Sequence, residues 1–264
     1  MAFRENDYKG LIYMSSDRIK THHAFTTRYG GVSTGDFFSL NLGSDRGDDP
    51  EAVRENYRRC CELMGAGIDD CAVTKQVHGN AVRIVTKADR HVCMSAVPYE
   101  ADGIVTAERG MPIFCMTADC VPVLLCDETA GVIGAIHCGW RSSVADILKN
   151  ALEKMEELGA KPENISAAIG PAIDKCCFET DDDVPQAIEK YLSGDTEGLF
   201  TRRADGKTMV DLKTANARRL TQLGVRRENI DISEECTMCS HEKYWSHRYA
   251  KGKRGSQASF IVLK

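Results

Sequence analysis

Three side chains able to bind a metal or attack a carbonyl stand where apolar runs give way to loops. They are His78 in KQVHGNAV, Cys120 in TADCVPVLL and His137 in VIGAIHCGWR. Such junctions are where a rigid scaffold holds reacting groups. Each residue alone has an ordinary reading, as a hydrogen-bonded core imidazole or a thiol packed like a small hydrophobe. Together they admit two chemistries. Two imidazoles and a thiolate make a three-donor zinc set with an open fourth position, which would polarise a substrate oxygen or acidify a bound water. Alternatively, Cys120 is a nucleophile and His137 its base, in a metal-free cysteine hydrolase or amidase. No H-x-H, H-E-x-x-H or paired C-x-x-C frames the three residues, so spacing does not choose. Near the end, CTMCSHEKYWSH offers Cys236, Cys239, His241 and His247 as a structural metal set. The step from Cys239 to His241 is short for a finger, and free thiols are the plainer reading.

The elements that must position these groups are legible in part. The run DDPEAVRENYRRCCELMGAG predicts a helix capped by Asp48 or Asp49, with Pro50 in its first turn and Gly65 at its end. Strand-like runs follow in CAVTKQVHG, which would end at His78, then AVRIVT, DGIVTA, PIFCMTA, VPVLLCD and GVIGAIHCG. In SSVADILKNALEKMEELGA, Val144, Ile147, Leu148, Ala151, Leu152, Met155 and Leu158 share one helical face. Ser143 and Asp146 there resemble a capping box, and Gly159 a stop. ISAAIGPAI reads as a strand, DDDVPQAIEKYL and LKTANARRLTQLG as helices, and SFIVLK as a closing strand. Helices flanking clustered strands predict α+β or mixed α/β layers. The Gly-rich TTRYGGVSTGDFFSLNLG reads as a loop near a site. Neither G-x-G-x-x-G before a helix nor a P-loop is present, which disfavours ordinary dinucleotide and nucleotide folds.

The chain has 264 residues, 28% of them charged and 42% hydrophobic, enough for a sizeable core. No linker or repeat divides it, so residues 1–264 are expected to form a single domain. A net charge of −5 gives no footing for nucleic acid and favours a small anion as the partner of any basic site. No signal-like start and no apolar run of membrane length are visible, so a cytoplasmic protein with no membrane partner is expected. Twelve cysteines, including the adjacent pairs Cys60–Cys61 and Cys176–Cys177, then read as reduced thiols.

The segments TTRYGGVSTG, SLNLG, GDDPEAV, QVHGNAV, ADGIVT, TADCVPVLLCD, HCGWR and IGPAIDKCCFE follow one another as in a single family. The chain resembles, over essentially its whole length, the bacterial YfiH/YlmD proteins, also called the multicopper polyphenol oxidase or laccase-domain family. That resemblance implies a four-layer α/β/β/α sandwich with mixed β-sheets. It implies zinc held by His78, Cys120 and His137, which would also be the catalytic residues. The implied activity is phosphorolysis of adenosine, inosine and 5′-methylthioadenosine, with side deamination of adenosine. Two departures stand out: HCGWRS replaces HAGWRG, and YWSHRYAKG replaces a Phe-Ser-x-Arg-Arg pattern, which alters the setting of Arg248.

Phosphorolysis needs donors for a phosphate dianion, and Arg28, Arg141 and Arg248 are the candidates, with Gly30 and Gly31 allowing backbone approach. Asn41 or Gln76 would meet ribose hydroxyls, although Asn41 could simply close a turn. Asp102 and Asp119 are the carboxylates placed to orient a ligand histidine, or else to cap a turn. Deamination is the simpler reaction to rationalise, by attack of a zinc-activated water on the purine C6. A full multicopper centre needs more histidines, commonly in H-x-H pairs, than the seven here. Copper in place of zinc at the His/His/Cys set follows the usual affinity order and leaves a copper-dependent polyphenol oxidase as an alternative. A non-catalytic ligand-binding protein is another. A monomer or a homodimer is expected.

Overall fold

The structure, a computed structural model, describes residues 3–97 and 99–264. Three strands open it, β1 (Phe3–Tyr8), β2 (Leu11–Ser16) and β3 (His22–Thr26), followed by helix α1 (Pro50–Met64). Then come β4 (Val82–Ile84), β5 (Gly103–Thr106), β6 (Ile113–Thr117), β7 (Val121–Asp127) and β8 (Val132–Cys138). Helices α2 (Trp140–Val144) and α3 (Ile147–Glu157) lead to β9 (Ser166–Ile169), β10 (Glu179–Thr180) and α4 (Asp183–Tyr191). The remainder is β11 (Phe200–Arg202), β12 (Thr208–Val210), α5 (Leu212–Gln222), β13 (Ile230–Ile232), α6 (His247–Ala250) and β14 (Gln257–Val262).

These elements stack as four layers, as the family resemblance implied. An antiparallel sheet ordered β1-β2-β3-β14-β6 lies against a mixed sheet ordered β13-β9-β7-β8-β5-β4. Strand alternation sends Phe25, Ile113, Ile261, Leu124, Ile133 and Ala135 into the space between the sheets. Their neighbours Ala24, Phe114, Phe260 and Val262 face outward and receive the α1 stripe of Val53, Tyr57, Cys60 and Met64. On the far side, Val123, Leu125, Val132 and Ile136 meet Leu148, Leu152 and Met155 of α3 and Leu220 of α5. Both faces of β7 and β8 are therefore apolar, and every residue of the two strands is buried. Truncating one such side chain, Leu124→Ala, costs about 2–5 kcal/mol by general experience with cores.

Helix α1 has the predicted ends: Asp49 accepts from Glu51 N, Pro50 begins the helix, and Gly65 closes it at φ 76°. Two other expectations are corrected. The helix expected from Ser143 onward is broken into α2 and α3 at Asp146, which adopts φ 65° and makes no capping bond. Arg219 of α5 grips both Asp146 carboxylate oxygens at 2.9 and 2.5 Å and holds that break. Ser143, expected as a cap, lies buried inside α2. The strand expected over CAVTKQVHG is only a line of isolated bridges, Cys71–His91, Ala72–Ile113 and Lys75–Glu100, so His78 sits on a loop.

Candidate active site

Cys120 immediately precedes β7, and in the β7–β8 register Pro122 lies opposite His137. The chain enters β7 through Asp119, whose left-handed φ of 88° turns it into place. Thr237 Oγ1 donates to Asp119 Oδ1 and the Arg248 amide to Oδ2, both at 2.6 Å, and Ile173 N donates to the Asp119 carbonyl at 2.9 Å. These three contacts stabilise a backbone conformation uncommon outside glycine.

Asp102, just ahead of β5, organises both histidines. His137 donates its backbone N–H to the Asp102 carbonyl and its Nδ1 lies against Asp102 Oδ1, each at 2.7 Å. That bond leaves Nε2 of a buried imidazole facing Cys120, as the nitrogen available to ligate a metal. The same carboxylate accepts the N–H groups of Val77, His78 and Gly79 at 3.1, 2.9 and 2.8 Å, and so holds His78 at φ 61°.

The result is a compact donor set. The His78 and His137 rings meet edge to face at 4.8 Å, and Cys120 Sγ is 3.9 Å from His78 Nε2. One donor atom from each of the three lies within 4.8 Å of the others. Tetrahedral zinc would space a nitrogen and a sulfur donor by roughly 3.5 Å, so the set fits the ion after small side-chain adjustment. Gly139 keeps the space open: a Cβ there would stand 3.2 Å from His78 and 3.4 Å from Cys120 Sγ.

Charge follows geometry. Burial by itself would raise the Cys120 thiol, but the charge and hydrogen bond of His137, with those of His78, bring it down to about 6. Burial would likewise lower His137, yet Cys120 and Asp102 push it up to about 9. For Asp102, burial opposes ionisation, and His137 with the Gly79 and Val77 amides outweighs it, holding the carboxyl below its ordinary range. A thiolate beside imidazoles, oriented by a carboxylate, suits both metal ligation and nucleophilic attack.

His78 and Cys120 form the wall between two hollows. One, about 360 Å³, is lined by Trp140, Ile173, Phe178 and Leu212 on its apolar side and by Arg46, His247, Arg248 and Arg254 on its basic side. The other, about 180 Å³, adds His137 and the polar Asp45, Thr74, Gln76 and Thr117. Burial and the charge of Arg46 push the Arg254 guanidinium below its ordinary pKa, a like-charge crowding that a bound anion would relieve. A larger hollow of about 510 Å³, beside Arg4, Ser16, His22 and Lys264, contains none of the three donors.

The structure redistributes the other expected site residues. Arg28 lines neither hollow; its guanidinium donates to the carbonyls of Phe38 and His241 and stacks on Trp245, fastening the Gly-rich loop instead of meeting phosphate. Asn41 is fully buried and closes its own turn, accepting from Gly43 and Ser256 amides and donating to Asp48, so ribose cannot reach it. Gln76 lines the smaller hollow, but its amide pairs with both backbone groups of Met116. Arg141 is exposed over Trp140 and lines neither hollow. Arg248 reaches the 360 Å³ hollow while bonding the Glu179 carbonyl. Among the described residues Asp119 hydrogen-bonds no histidine; it shapes the approach to Cys120. His241 stacks on Tyr249 at 3.6 Å and His247 joins the cavity wall, so neither stands with Cys236 and Cys239.

Sequence reasoning missed Arg46, Arg254, Trp140, Phe178 and Gly139, and gave His247 a different role, in a metal set with Cys236 and Cys239. Gly139 and Trp140 lie two and three positions after His137 in HCGWR, so the sequence itself places them near the site. Arg46 and Arg254 adjoin no donor in the chain and carry no local signal.

Known proteins agree with this architecture. The family described as multi-copper polyphenol oxidoreductase laccase matches residues 22–264. A purine nucleoside phosphorylase of Deinococcus radiodurans is 39% identical over 254 residues, 96% of this chain and 94% of its own length. One from Corynebacterium glutamicum is 36% identical over 239 residues, 90% and 93% of the two chains. The crystal structure of YlmD from Geobacillus stearothermophilus superposes with a TM-score of 0.90 at 32% identity, covering 98% of both chains. That of Bacillus licheniformis YfiH gives 0.91 at 29%, covering 99% of both. The chain belongs to the multi-copper polyphenol oxidoreductase laccase family, the family of YlmD and YfiH.

Proposed function

We propose that the protein is a zinc-dependent purine nucleoside phosphorylase acting on adenosine, inosine and 5′-methylthioadenosine, with side deamination of adenosine. The observation that carries this reading is the convergence of His78, Cys120 and His137, the first two of which line a cavity with one aromatic wall and one arginine wall. The names of the relatives point the same way. Phosphorolysis forms a bond from phosphate oxygen to C1′ and breaks the C1′–N9 bond, whose electron pair leaves with the protonated base. Arg46, Arg248 and Arg254 would hold and orient the phosphate, while Trp140 and Phe178 offer faces for the purine. Zinc, when bound by the three donors, supplies Lewis-acid polarisation of a substrate oxygen. Asp102 keeps His137 in the tautomer that leaves Nε2 free.

The oxidase named in the family description has less support. Among the described residues, only one group of three or more close donors contains histidine. The lowered Cys120 thiol beside His137 does favour one second reading, the metal-free cysteine hydrolase. Under that reading, His78, held by Asp102, would serve only to help lower the Cys120 thiol. Incubating zinc-replete protein with each nucleoside and phosphate should release free base and a ribose 1-phosphate, with activity lost to chelator and restored by zinc. Full activity after zinc removal would favour the hydrolase. Phenol oxidation by copper-loaded protein without base release would favour the oxidase, and no turnover of any nucleoside would leave ligand binding.

A further inference from the structure

Four cysteines outside that site are brought together by the fold. Cys176 and Cys177 lie in a turn after β9, where the Cys177 and Phe178 amides both donate to the Asp174 carbonyl at 2.8 Å. Cys236 and Cys239 lie in a C-x-x-C turn after β13. The bridge Ala172–Cys236, and Thr237 N donating to Ala172 O at 3.0 Å, bring the two turns together.

One sulfur from each cysteine lies within 4.8 Å of the other three. Cys239 Sγ is 3.5 Å from Cys176 Sγ and 3.4 Å from Cys177 Sγ, and the latter two are 3.7 Å apart. Four sulfurs around one zinc ion at about 2.3 Å would be separated by roughly 3.8 Å. Cys236 Sγ also accepts the Asp174 amide at 3.4 Å, as a ligating thiolate does. Packing does not explain the grouping, because Cys176 and Cys239 are exposed. By contrast, Cys61 of α1 also clusters with Cys71 and Cys93, but all three are buried in the core.

We propose that Cys176, Cys177, Cys236 and Cys239 form a second metal site, a tetrathiolate centre for zinc separate from His78, Cys120 and His137. Each thiol releases its proton to solvent as its bond to the metal forms. The centre would clamp one side of the 360 Å³ hollow beside Cys120. Ile173 and Phe178 of its wall flank the first cysteine pair, and Thr237, inside the second, holds Asp119 beside Cys120. The inference does not depend on which reaction the first site performs; only the total of two zinc ions rests on the proposed reading that His78, Cys120 and His137 also hold one.

The full chain, purified and kept under reductant, reconstituted with zinc and freed of excess, should bind two zinc ions per chain. Cys236→Ser/Cys239→Ser should bind one, and His78→Ala/His137→Ala one, so loss of either site is counted separately. Cobalt in the wild type should show tetrathiolate absorption that the cysteine variant lacks and the histidine variant keeps. X-ray absorption on the wild-type zinc needs no variant, and should find well over one sulfur per zinc on average. A sulfur count of one or less, or equal zinc in the wild type and the folded cysteine variant, would overturn the proposal. So would a disulfide among the four that persists under reductant.

Discussion

The two ends of β7 each present a cysteine, and the two thiols live under opposite rules. Cys126 packs between the sheets with Leu124 and Ile133, and burial, helped by the charges of Glu128 and Asp127, pushes it up to about 12. Cys120 is brought down to about 6 because imidazoles from β8 and from the 77–79 loop face it. The difference teaches that burial alone raises a thiol, and that charge and hydrogen bonds from facing side chains reverse it.

The largest expected effect tests that contrast directly. In zinc-depleted protein near neutral pH, the two pKa values imply thiolate fractions differing by about 10⁵-fold. Iodoacetamide should therefore modify Cys120, at a rate that rises with pH through about 6 and then levels, while Cys126 stays unmodified. Peptide mapping reads both; equal labelling would remove the distinction.

Next in size, Cys120→Ala should lower kcat/KM for phosphorolysis by more than about 100-fold, beyond the range seen when only a supporting partner of a ligand is lost. Cys126→Ala should leave kcat/KM nearly unchanged and lower the melting temperature. An active Cys120→Ala enzyme would place the chemistry elsewhere.

Asp102→Asn should weaken zinc binding or activity by about 10–100-fold, measured by chelator competition. An amide has one acceptor oxygen for a carboxylate's duties toward His137 and the 77–79 amides. Retained affinity would mean that the strands alone place both histidines.

The smallest effect separates two arginines. Arg254→Ala should raise KM for phosphate roughly tenfold, the scale of a lost hydrogen bond to a charged group. Arg28→Ala should leave that KM unchanged and destabilise the fold by about 1–3 kcal/mol, since the Phe38 and His241 carbonyls lose their donor. A phosphate effect at Arg28 would restore its expected role.

How much could be read beforehand differs by residue. Runs such as VPVLLCD and GVIGAIHCG announced β7 and β8 because burial on both faces leaves a continuous apolar stretch. The ends of α1 were legible because Asp49, Pro50 and Gly65 act on their own neighbours. The break at Asp146 was not, because its cause is Arg219, far along the chain. The loop state of His78 depends on a carboxylate twenty-four positions away, and the orientation of His137 on the same one.

By itself, the sequence determined which segments are apolar on one face or two, where local caps stop helices, and which side chains have donor atoms to offer. Those properties depend on neighbours a few positions apart, so a linear reading reaches them. Only the tertiary structure decided which offers were taken. It spent Arg28 and Asn41 on backbone groups, delivered Arg46 and Arg254 to the cavity, and set Cys120 among imidazoles while leaving Cys126 in the core. Hydrogen bonds and charge interactions act over a few ångströms in space, whatever the separation in sequence, and folding alone determines what those few ångströms contain.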